Sequence, residues 1–243
     1  MTLDFRPHSQ ITARTDRIGA EDSPVLVIDN FAADPQALVD HAASLAPFPP
    51  AEQTFYPGVR APVPMPFVQG AHAYLEATLR EAFGLGDQVV VSGGWDFSLV
   101  TRPPAELTLR QRMPHIDSTH PGNLALLLYL ASADQGGTGF YRHRSTGYET
   151  ITEDRFDHYE ARLKADVAAF GEPQGYISGD SPIFERIADY EAVFNRMLIY
   201  RGRNLHSASL APDFAGSPDP RSGRLTLNLF LHFRPKPSVP ARP

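Results

Sequence analysis

The spacing of apolar and polar residues changes about a third of the way along the chain, and the change predicts two kinds of structure. A short apolar run, SPVLVIDNF, predicts the first strand. DPQALVDHAASLA and FVQGAHAYLEATLREAFGL then place apolar residues at helical spacing, and Asp34 and Pro35 suit a helix start. Between these helices, PFPPAEQTFYPGVRAPVPMP holds seven prolines in twenty residues, which predicts an extended loop.

From Gln88 onward the pattern is that of short strands separated by glycine, proline and aspartate turns. Residues 144–180 interrupt it with EDRFDHYEARLKADVAAFG, which predicts a third helix. Asn195-Arg196 lies between two of the apolar runs, as a hairpin turn would. The runs that predict strands are QVVVSGGWDFSLVT, ELTLRQRMPHID, NLALLLYLA, GTGFYRH, IFERIADYEAVFN, RMLIYRG and RLTLNLFLHF.

Helices first, then about seven or eight strands without βαβ alternation, predict a mainly β protein with flanking helices. The expected architecture is a β-sandwich or jelly roll with helices packed against one sheet. We expect one domain over residues 1–243, because neither half makes a closed sheet alone. It comprises N-terminal helical support over about 1–87, a jelly-roll core over about 88–234 and an unordered proline-rich tail at 235–243.

Composition narrows the classes of function. The net charge of −6 argues against nucleic acid as a partner, since phosphate binding needs clustered positive charge. No stretch approaches the length and apolarity of a membrane span, and the first residues lack the apolar core of a signal peptide, so we expect a cytoplasmic protein without a membrane partner. The chain has no cysteine, so a metal would need histidine, aspartate or glutamate ligands.

A candidate metal site begins with His115 and Asp117 in RQRMPHIDSTH. On a strand these two residues would point to the same face. An imidazole beside a carboxylate suits a divalent metal such as Fe(II). The alternative is a polar stretch at the end of a strand, since His-x-Asp is a common spacing.

Further along the chain, three more residues have side chains that suit such a site. His206 follows a strongly β run and a short turn, and the alternative for it is a surface-loop histidine. Arg224 begins RLTLNLFLHF, with Thr226 two residues later on the same face. A guanidinium matches a carboxylate with two hydrogen bonds, and a hydroxyl can add a third. The alternative for Arg224 is a surface ion pair on an edge strand.

The order of these motifs resembles that of the Fe(II)/2-oxoglutarate-dependent oxygenases, in the branch similar to prolyl hydroxylases. The resemblance covers about residues 95–233 and includes the apolar strand ALLLYLA and the turn and strand GGTGFYRH. It implies a double-stranded β-helix, a cupin-like jelly roll, braced by N-terminal helices. YPGVRAP, residues 56–62, resembles a signature of a bacterial subgroup and suggests no role by itself.

The resemblance also implies functions for individual residues. His115, Asp117 and His206 would hold Fe(II), while Arg224 with Thr226 would hold the far carboxylate of 2-oxoglutarate. Tyr129 would reach the same cosubstrate, with O2 as the oxidant and a small molecule, amino acid or peptide side chain as the substrate. The alternatives are a non-catalytic jelly-roll protein that binds or senses a metal, and a zinc-dependent hydrolase or isomerase of cupin type.

Two features depart from that family pattern. Seventeen residues separate His206 from Arg224, more than is typical of the branch, and Arg221 in this loop is a rival anchor. The helical insert at 144–180 replaces a short connection, and such inserts often cover a substrate entrance. Of the remaining polar residues, His120 is expected in solvent, and Asn204 is expected to orient the loop that presents His206. His143 is expected either to contact an anionic substrate or to lie on an exposed strand end.

Overall fold

A computed structural model describes residues 3–51, 56–211 and 213–236. Within these ranges there are three α-helices, α1 (Pro35–Ser44), α2 (Met65–Phe83) and α3 (Glu153–Phe170). There are also ten strands: β1 (Thr12–Ile18), β2 (Ser23–Asp29), β3 (Gly58–Pro62), β4 (Val89–Val100), β5 (Asn123–Tyr129), β6 (Gly137–His143), β7 (Phe184–Tyr190), β8 (Met197–Arg201), β9 (His206–Ser209) and β10 (Leu225–Arg234). Most of the predicted unordered tail, residues 237–243, lies outside the described ranges.

The strands form two antiparallel sheets. The large sheet has the order β1-β2-β8-β5-β10-β4-β3, and the small sheet has the order β7-β6-β9. One face of the large sheet packs on α1 and α2 through a large apolar core. The opposite face meets the small sheet through a second core that includes Tyr129, Phe140 and Tyr200. The predicted β-sandwich with helices against one sheet is therefore what the chain forms.

The strand β10 shows how alternation fixes the two faces of the large sheet. Leu225, Leu227, Leu229 and Leu231 are at most 2% exposed and pack with the helices. Burying each such side chain stabilises the fold by roughly 1.5–3 kcal/mol. The alternate residues therefore face the space between the two sheets, as the period of two requires.

Three strands escaped prediction, and all are sheet edges: β1 and β3 in the large sheet and β9 in the small sheet. β1 is largely exposed and polar, TARTDRI, and it pairs only with β2. β3 lies in the proline-rich segment predicted as loop, and it pairs with β4. Proline is tolerated on an edge strand because one side of that strand needs no backbone donors. The first 87 residues thus supply three strands of the large sheet as well as α1 and α2.

Two further predictions are wrong. ELTLRQRMPHID is not a strand: one 3-10 turn, Pro104–Glu106, ends at its first residue, and a second, Leu109–Arg112, lies within it and has a Thr108/Gln111 capping box. The buried apolar residues of this stretch belong to turns and loop, not to a pleated strand. Asn195, which adopts a positive φ of 65°, is not in a hairpin, because β7 and β8 belong to different sheets. It lies where the chain crosses from one sheet to the other.

The helical insert packs on the small sheet. Its helix, α3, spans Glu153–Phe170, as predicted. Tyr159 of this helix belongs to an apolar cluster with Tyr141 and Phe184. His143 is fully buried, with Nε2 3.0 Å from the Asp166 carboxylate of α3. Both expectations for His143, a substrate contact or an exposed strand end, are therefore wrong. Among the described helices, none has the length and apolar character needed to cross a membrane.

Candidate metal centre

His115, Asp117 and His206 meet between the two sheets. Their ligand atoms all lie within 4.8 Å of one another. The Nε2 atom of His206 is 3.5 Å from an Asp117 carboxylate oxygen, and the two imidazole rings are 4.5 Å apart between centroids. Small side-chain rotations would bring two nitrogens and one oxygen to the roughly 2.0–2.2 Å at which such atoms bind a divalent metal. The residues therefore fit a three-ligand metal site.

Backbone pairing, not a regular strand, brings the three residues together. His115 and His206 form an isolated antiparallel bridge, in which each amide donates to the other residue's carbonyl at 2.9 and 3.0 Å. The Asp117 amide donates to the Gly202 carbonyl at 2.7 Å. The prediction that His115 and Asp117 share a strand is wrong, but directly paired residues project to the same face, so the side chains still converge.

Gly202 allows this close approach. A Cβ atom at this position would lie 1.9 Å from Asn123 Oδ1 and 3.2 Å from Asp117 Cβ, so any larger residue would push the Asp117 segment away. The glycine is thus required by space and not by its backbone angle.

A hydrogen bond orients the His206 ring. Its Nδ1 lies 2.8 Å from the Asn204 carbonyl oxygen, which can only accept, so Nδ1 carries the proton and donates. The lone pair is then on Nε2, the atom that faces Asp117. A metal-binding histidine is usually fixed in one tautomer by such a hydrogen bond from its other ring nitrogen. Asn204 therefore orients the His206 ring through its backbone carbonyl, not through its side-chain amide.

The surroundings hold the three groups in the form that binds a metal. Burial lowers the pKa of His115 to about 4, helped by His206 and opposed by Asp117. Burial also lowers the pKa of His206 to about 4, against its hydrogen bond to Asn204. Burial raises the pKa of Asp117 to about 6, opposed by His115 and Arg60. Near pH 7 the imidazoles are therefore neutral and the carboxylate ionised, as metal ligands must be.

A small cavity of about 130 Å³ opens from the cluster toward Arg224, and we name it the Arg224 chamber. Arg224 is 3% exposed, and its Nη2 donates to the Gly137 carbonyl at 2.8 Å. Its Nε has no hydrogen-bond partner, and no carboxylate pairs with it, among the described residues. A buried guanidinium without an anion is costly, so the chamber is built for a negatively charged ligand.

The motif YPGVRAP supplies chamber residues that sequence analysis missed. Tyr56 and Arg60 both line the chamber, with the Arg60 guanidinium 4.6 Å above the Tyr56 ring. Arg60 also lies 3.9 Å from Asp96 and helps to keep Asp117 ionised. The pKa of the Tyr56 phenol is raised by burial, against the opposing effect of Arg224 and Arg60. The YPGVRAP motif was the sequence signal that could have indicated Tyr56 and Arg60. The pairing of β3 with β4 is what brings the motif close to Asp117.

The remaining candidate residues lie around the site at different distances. Thr226 is fully buried and Tyr129 donates to or accepts from Thr138 at 2.6 Å, and neither lines the chamber. The Tyr129 ring lies 5.9 Å from the Arg224 guanidinium. Arg221 is exposed on the surface, where it pairs with Asp40, and His120 is exposed away from the cluster. Direct contact of Thr226 and Tyr129 with a ligand stays a prediction.

Comparison with solved structures gives weak similarities. A prolyl-4-hydroxylase from Pseudomonas putida has 12% identity over 93% of each chain, with a TM-score of 0.41. HygX from Streptomyces hygroscopicus, with nickel, 2-oxoglutarate and hygromycin B bound, has 13% identity over 87% of this chain and 84% of that one, with a TM-score of 0.42. AviO1 from Streptomyces viridochromogenes Tue57 has 13% identity over 96% and 92%, with a TM-score of 0.41.

TM-scores this low carry no functional argument, so function must come from the residues of the site. No curated protein matches the sequence. One family model matches residues 9–231, nearly the whole chain. The chain therefore belongs to the family described as "Family of unknown function (DUF6445)".

Proposed function

We propose that this protein is an Fe(II)- and 2-oxoglutarate-dependent oxygenase, and that its β-sandwich is the double-stranded β-helix of that class. One observation carries the proposal. The His115, Asp117 and His206 cluster and the buried Arg224 guanidinium face the same small chamber. A metal-binding cluster explains the first feature and a dianionic cosubstrate explains the second.

The ligand set favours Fe(II). Two imidazoles and one carboxylate on one side of a metal leave its other positions open, which is the arrangement of non-haem Fe(II) oxygenases. When bound, the metal supplies the redox chemistry that activates O2. Net hydroxylation converts a substrate C–H, 2-oxoglutarate and O2 into C–OH, succinate and CO2. One oxygen atom goes to succinate and the other to the alcohol, so atoms and electrons balance.

The Arg224 chamber suits 2-oxoglutarate because two guanidinium groups, those of Arg224 and Arg60, line it together with the metal-binding cluster. Arg224 offers a rigid guanidinium fork that can bind a carboxylate with two hydrogen bonds. The 2-oxo acid end of the cosubstrate would then lie toward the His-Asp-His cluster, near Arg60. A dianion would be balanced by these two guanidiniums. A zinc-dependent hydrolase would leave Arg224 without an anion.

Aromatic and apolar side chains wall the chamber around Arg224 and His206, while His115 and Asp117 are exposed. Tyr200 is 5% exposed, and its ring packs against His206 at 4.7 Å between centroids. Leu127 and Phe230 line the chamber from the large sheet. Tyr176 covers it from the segment after α3, and its hydroxyl donates to the Arg102 carbonyl at 2.6 Å. Excluding water strengthens the charge interactions of Arg224 and limits side reactions.

Succinate production tests the proposal. Purified protein with Fe(II), 2-oxoglutarate and O2 should release succinate slowly even without its substrate, and Zn(II) in place of Fe(II) should give none. Arg224→Met should abolish the release at low 2-oxoglutarate concentration. A protein that binds the metal but never forms succinate would support the metal-sensing alternative, and hydrolytic activity with Zn(II) would support the cupin-type hydrolase.

A further inference from the structure

A second cavity, of about 470 Å³, reaches the metal centre from the side of the helical insert. We name it the α3 cavity. It shares His115 and Asp117 with the Arg224 chamber, so the two cavities meet at the cluster. Its volume lies in the range of small-molecule sites. One wall is a face of α3, and the other is the segment of 3-10 turn and loop that leads to His115.

The α3 wall is apolar and only partly covered. Phe156, Tyr159, Leu163 and Val167 recur at helical spacing and all line the cavity. Tyr159 is buried, but Phe156 is 39% exposed although it is a large apolar residue. Met113 and Ile116 stand on the opposite wall. An apolar lining that the protein leaves open to a cavity favours an apolar occupant.

Two basic and two acidic side chains line the cavity. Arg110 and Glu160 act in opposite directions on the Tyr159 hydroxyl, so the two charges lie near it and offset each other. Lys164, one turn after Glu160, also lines the cavity and is exposed. Within the described ranges no carboxylate forms a salt bridge with its ammonium group. Because Asp117 belongs to the metal-binding cluster, the ammonium group of Lys164 is the lining charge left for a ligand.

We infer that the α3 cavity binds the primary substrate, and that this substrate is an amphiphilic carboxylate with an apolar chain or ring. This inference rests on the proposed function, because that function explains why a C–H bond should be brought to His115 and Asp117. The apolar part packs between the α3 face and Met113, and the carboxylate pairs with Lys164. The C–H bond nearest the cluster is the one that is hydroxylated.

Three probes of equal chain length test the charge and the apolarity separately. Octanoate, octylamine and octanol are titrated by calorimetry, without oxygen, into protein loaded with Fe(II) and saturating 2-oxoglutarate, which fills the Arg224 chamber. Octanoate should bind about two- to fivefold more tightly than either of the other two, the ratio expected for one exposed ion pair. Lys164→Gln should remove this preference and Lys164→Arg should keep it.

Matched variants separate a local effect from a general one. Arg162→Gln removes a positive charge from α3 outside the cavity, where Arg162 lies 3.8 Å from Asp166, and should leave octanoate binding unchanged. Phe156→Ala should weaken all three probes together. Equal binding of the three probes, preference for octylamine, or an unchanged preference in Lys164→Gln would overturn the inference.

The same preparation distinguishes this inference from the proposed function. Wild-type protein that binds Fe(II) and 2-oxoglutarate but does not prefer octanoate overturns only the substrate class. Wild-type protein that fails to bind Fe(II) and 2-oxoglutarate overturns the proposed function, and with it the inference that depends on it.

Discussion

The two cavities that meet at His115 and Asp117 are built in different ways. The Arg224 chamber is about 130 Å³, and its charged anchor stands at the start of β10 in the centre of the large sheet. The α3 cavity is about 470 Å³, and it is formed by an inserted helix and by turns. Paired strands fix a side chain more firmly than a loop or an insert does. Under the proposed function, the chamber therefore suits the cosubstrate and the α3 cavity suits the primary substrate.

The variant with the largest expected effect removes the side chain of Asp117, which lines both cavities. Asp117→Ala should weaken Fe(II) binding by more than about 100-fold, the upper end of what losing only a supporting residue costs. Both 2-oxoglutarate and substrate binding at the metal should be lost with it. Anaerobic Fe(II) titration measures the effect, and circular dichroism checks that the fold survives.

His120→Ala is the matched control for the ligand assignment, because His120 is close in sequence but exposed away from the cluster. It should bind Fe(II) like the wild type. His206→Ala should behave like Asp117→Ala. If His206→Ala retains normal Fe(II) affinity, the assignment of His206 as a ligand is wrong.

The next test affects only the Arg224 chamber. Arg224→Met keeps much of the side-chain volume but removes the charge, so a buried carboxylate loses its partner at a cost of about 2–5 kcal/mol. The affinity for 2-oxoglutarate should fall by roughly thirty-fold to several thousand-fold while Fe(II) affinity stays nearly constant. Equilibrium binding of both ligands measures this.

Arg221→Met is the control for that variant. Arg221 precedes β10 by a few residues, but it lies on the surface and pairs with Asp40. Its loss should change 2-oxoglutarate affinity little. A larger loss for Arg221 than for Arg224 would mean that the anchor has been misassigned.

The central strands could be predicted from sequence because their neighbours bury them. The leucines of β10 alternate with Arg224, Asn228 and Phe230, and this local pattern alone places one set on the helices and the other toward the chamber. The same holds for the apolar runs of β5 and β8. His206 was also located correctly at a strand margin.

The edges and the crossings could not be predicted in that way. β1 has one unpaired side, and the outer side of β3 pairs with the loop residues 49–51 and not with a strand, so neither needs an apolar alternating pattern, and β3 includes Pro62. Tyr56 and Arg60 reach the chamber only through β3, from a segment that local rules assign to loop. The strand predicted for the segment before His115 was wrong for a related reason. Its apolar residues are buried by tertiary packing of 3-10 turns, which a pattern of period two does not distinguish from a strand.

A smaller effect tests how the cluster is assembled. Gly202→Ala would place a methyl group 1.9 Å from Asn123 Oδ1, so the chain must shift beside Asp117. We expect Fe(II) affinity to fall about 10- to 100-fold, as when a supporting residue of a metal site is lost. Gly94→Ala, where a Cβ meets nothing within 4 Å, is the control. Equal Fe(II) affinity in the two variants would show that this close approach is not needed.

The smallest effect compares the filled and the open sides of the molecule. Phe156→Ala should lower the free energy of unfolding by less than about 1 kcal/mol and leave 2-oxoglutarate affinity unchanged, because this side chain borders open space. Leu227→Ala, at a fully packed position, should lower it by about 2–5 kcal/mol. Urea unfolding measures both, and similar losses would mean that α3 packs more tightly than its exposure indicates.

Anaerobic titration of the wild-type protein with Fe(II) and then 2-oxoglutarate tests the central claim most directly. The account predicts a visible charge-transfer absorption that needs both ligands and saturates with one 2-oxoglutarate per protein. At the same concentrations Asp117→Ala should show none, and Arg224→Met should show it only at far higher 2-oxoglutarate. No absorption in the wild type at saturating ligand, or identical titrations for the wild type and Arg224→Met, would contradict the account.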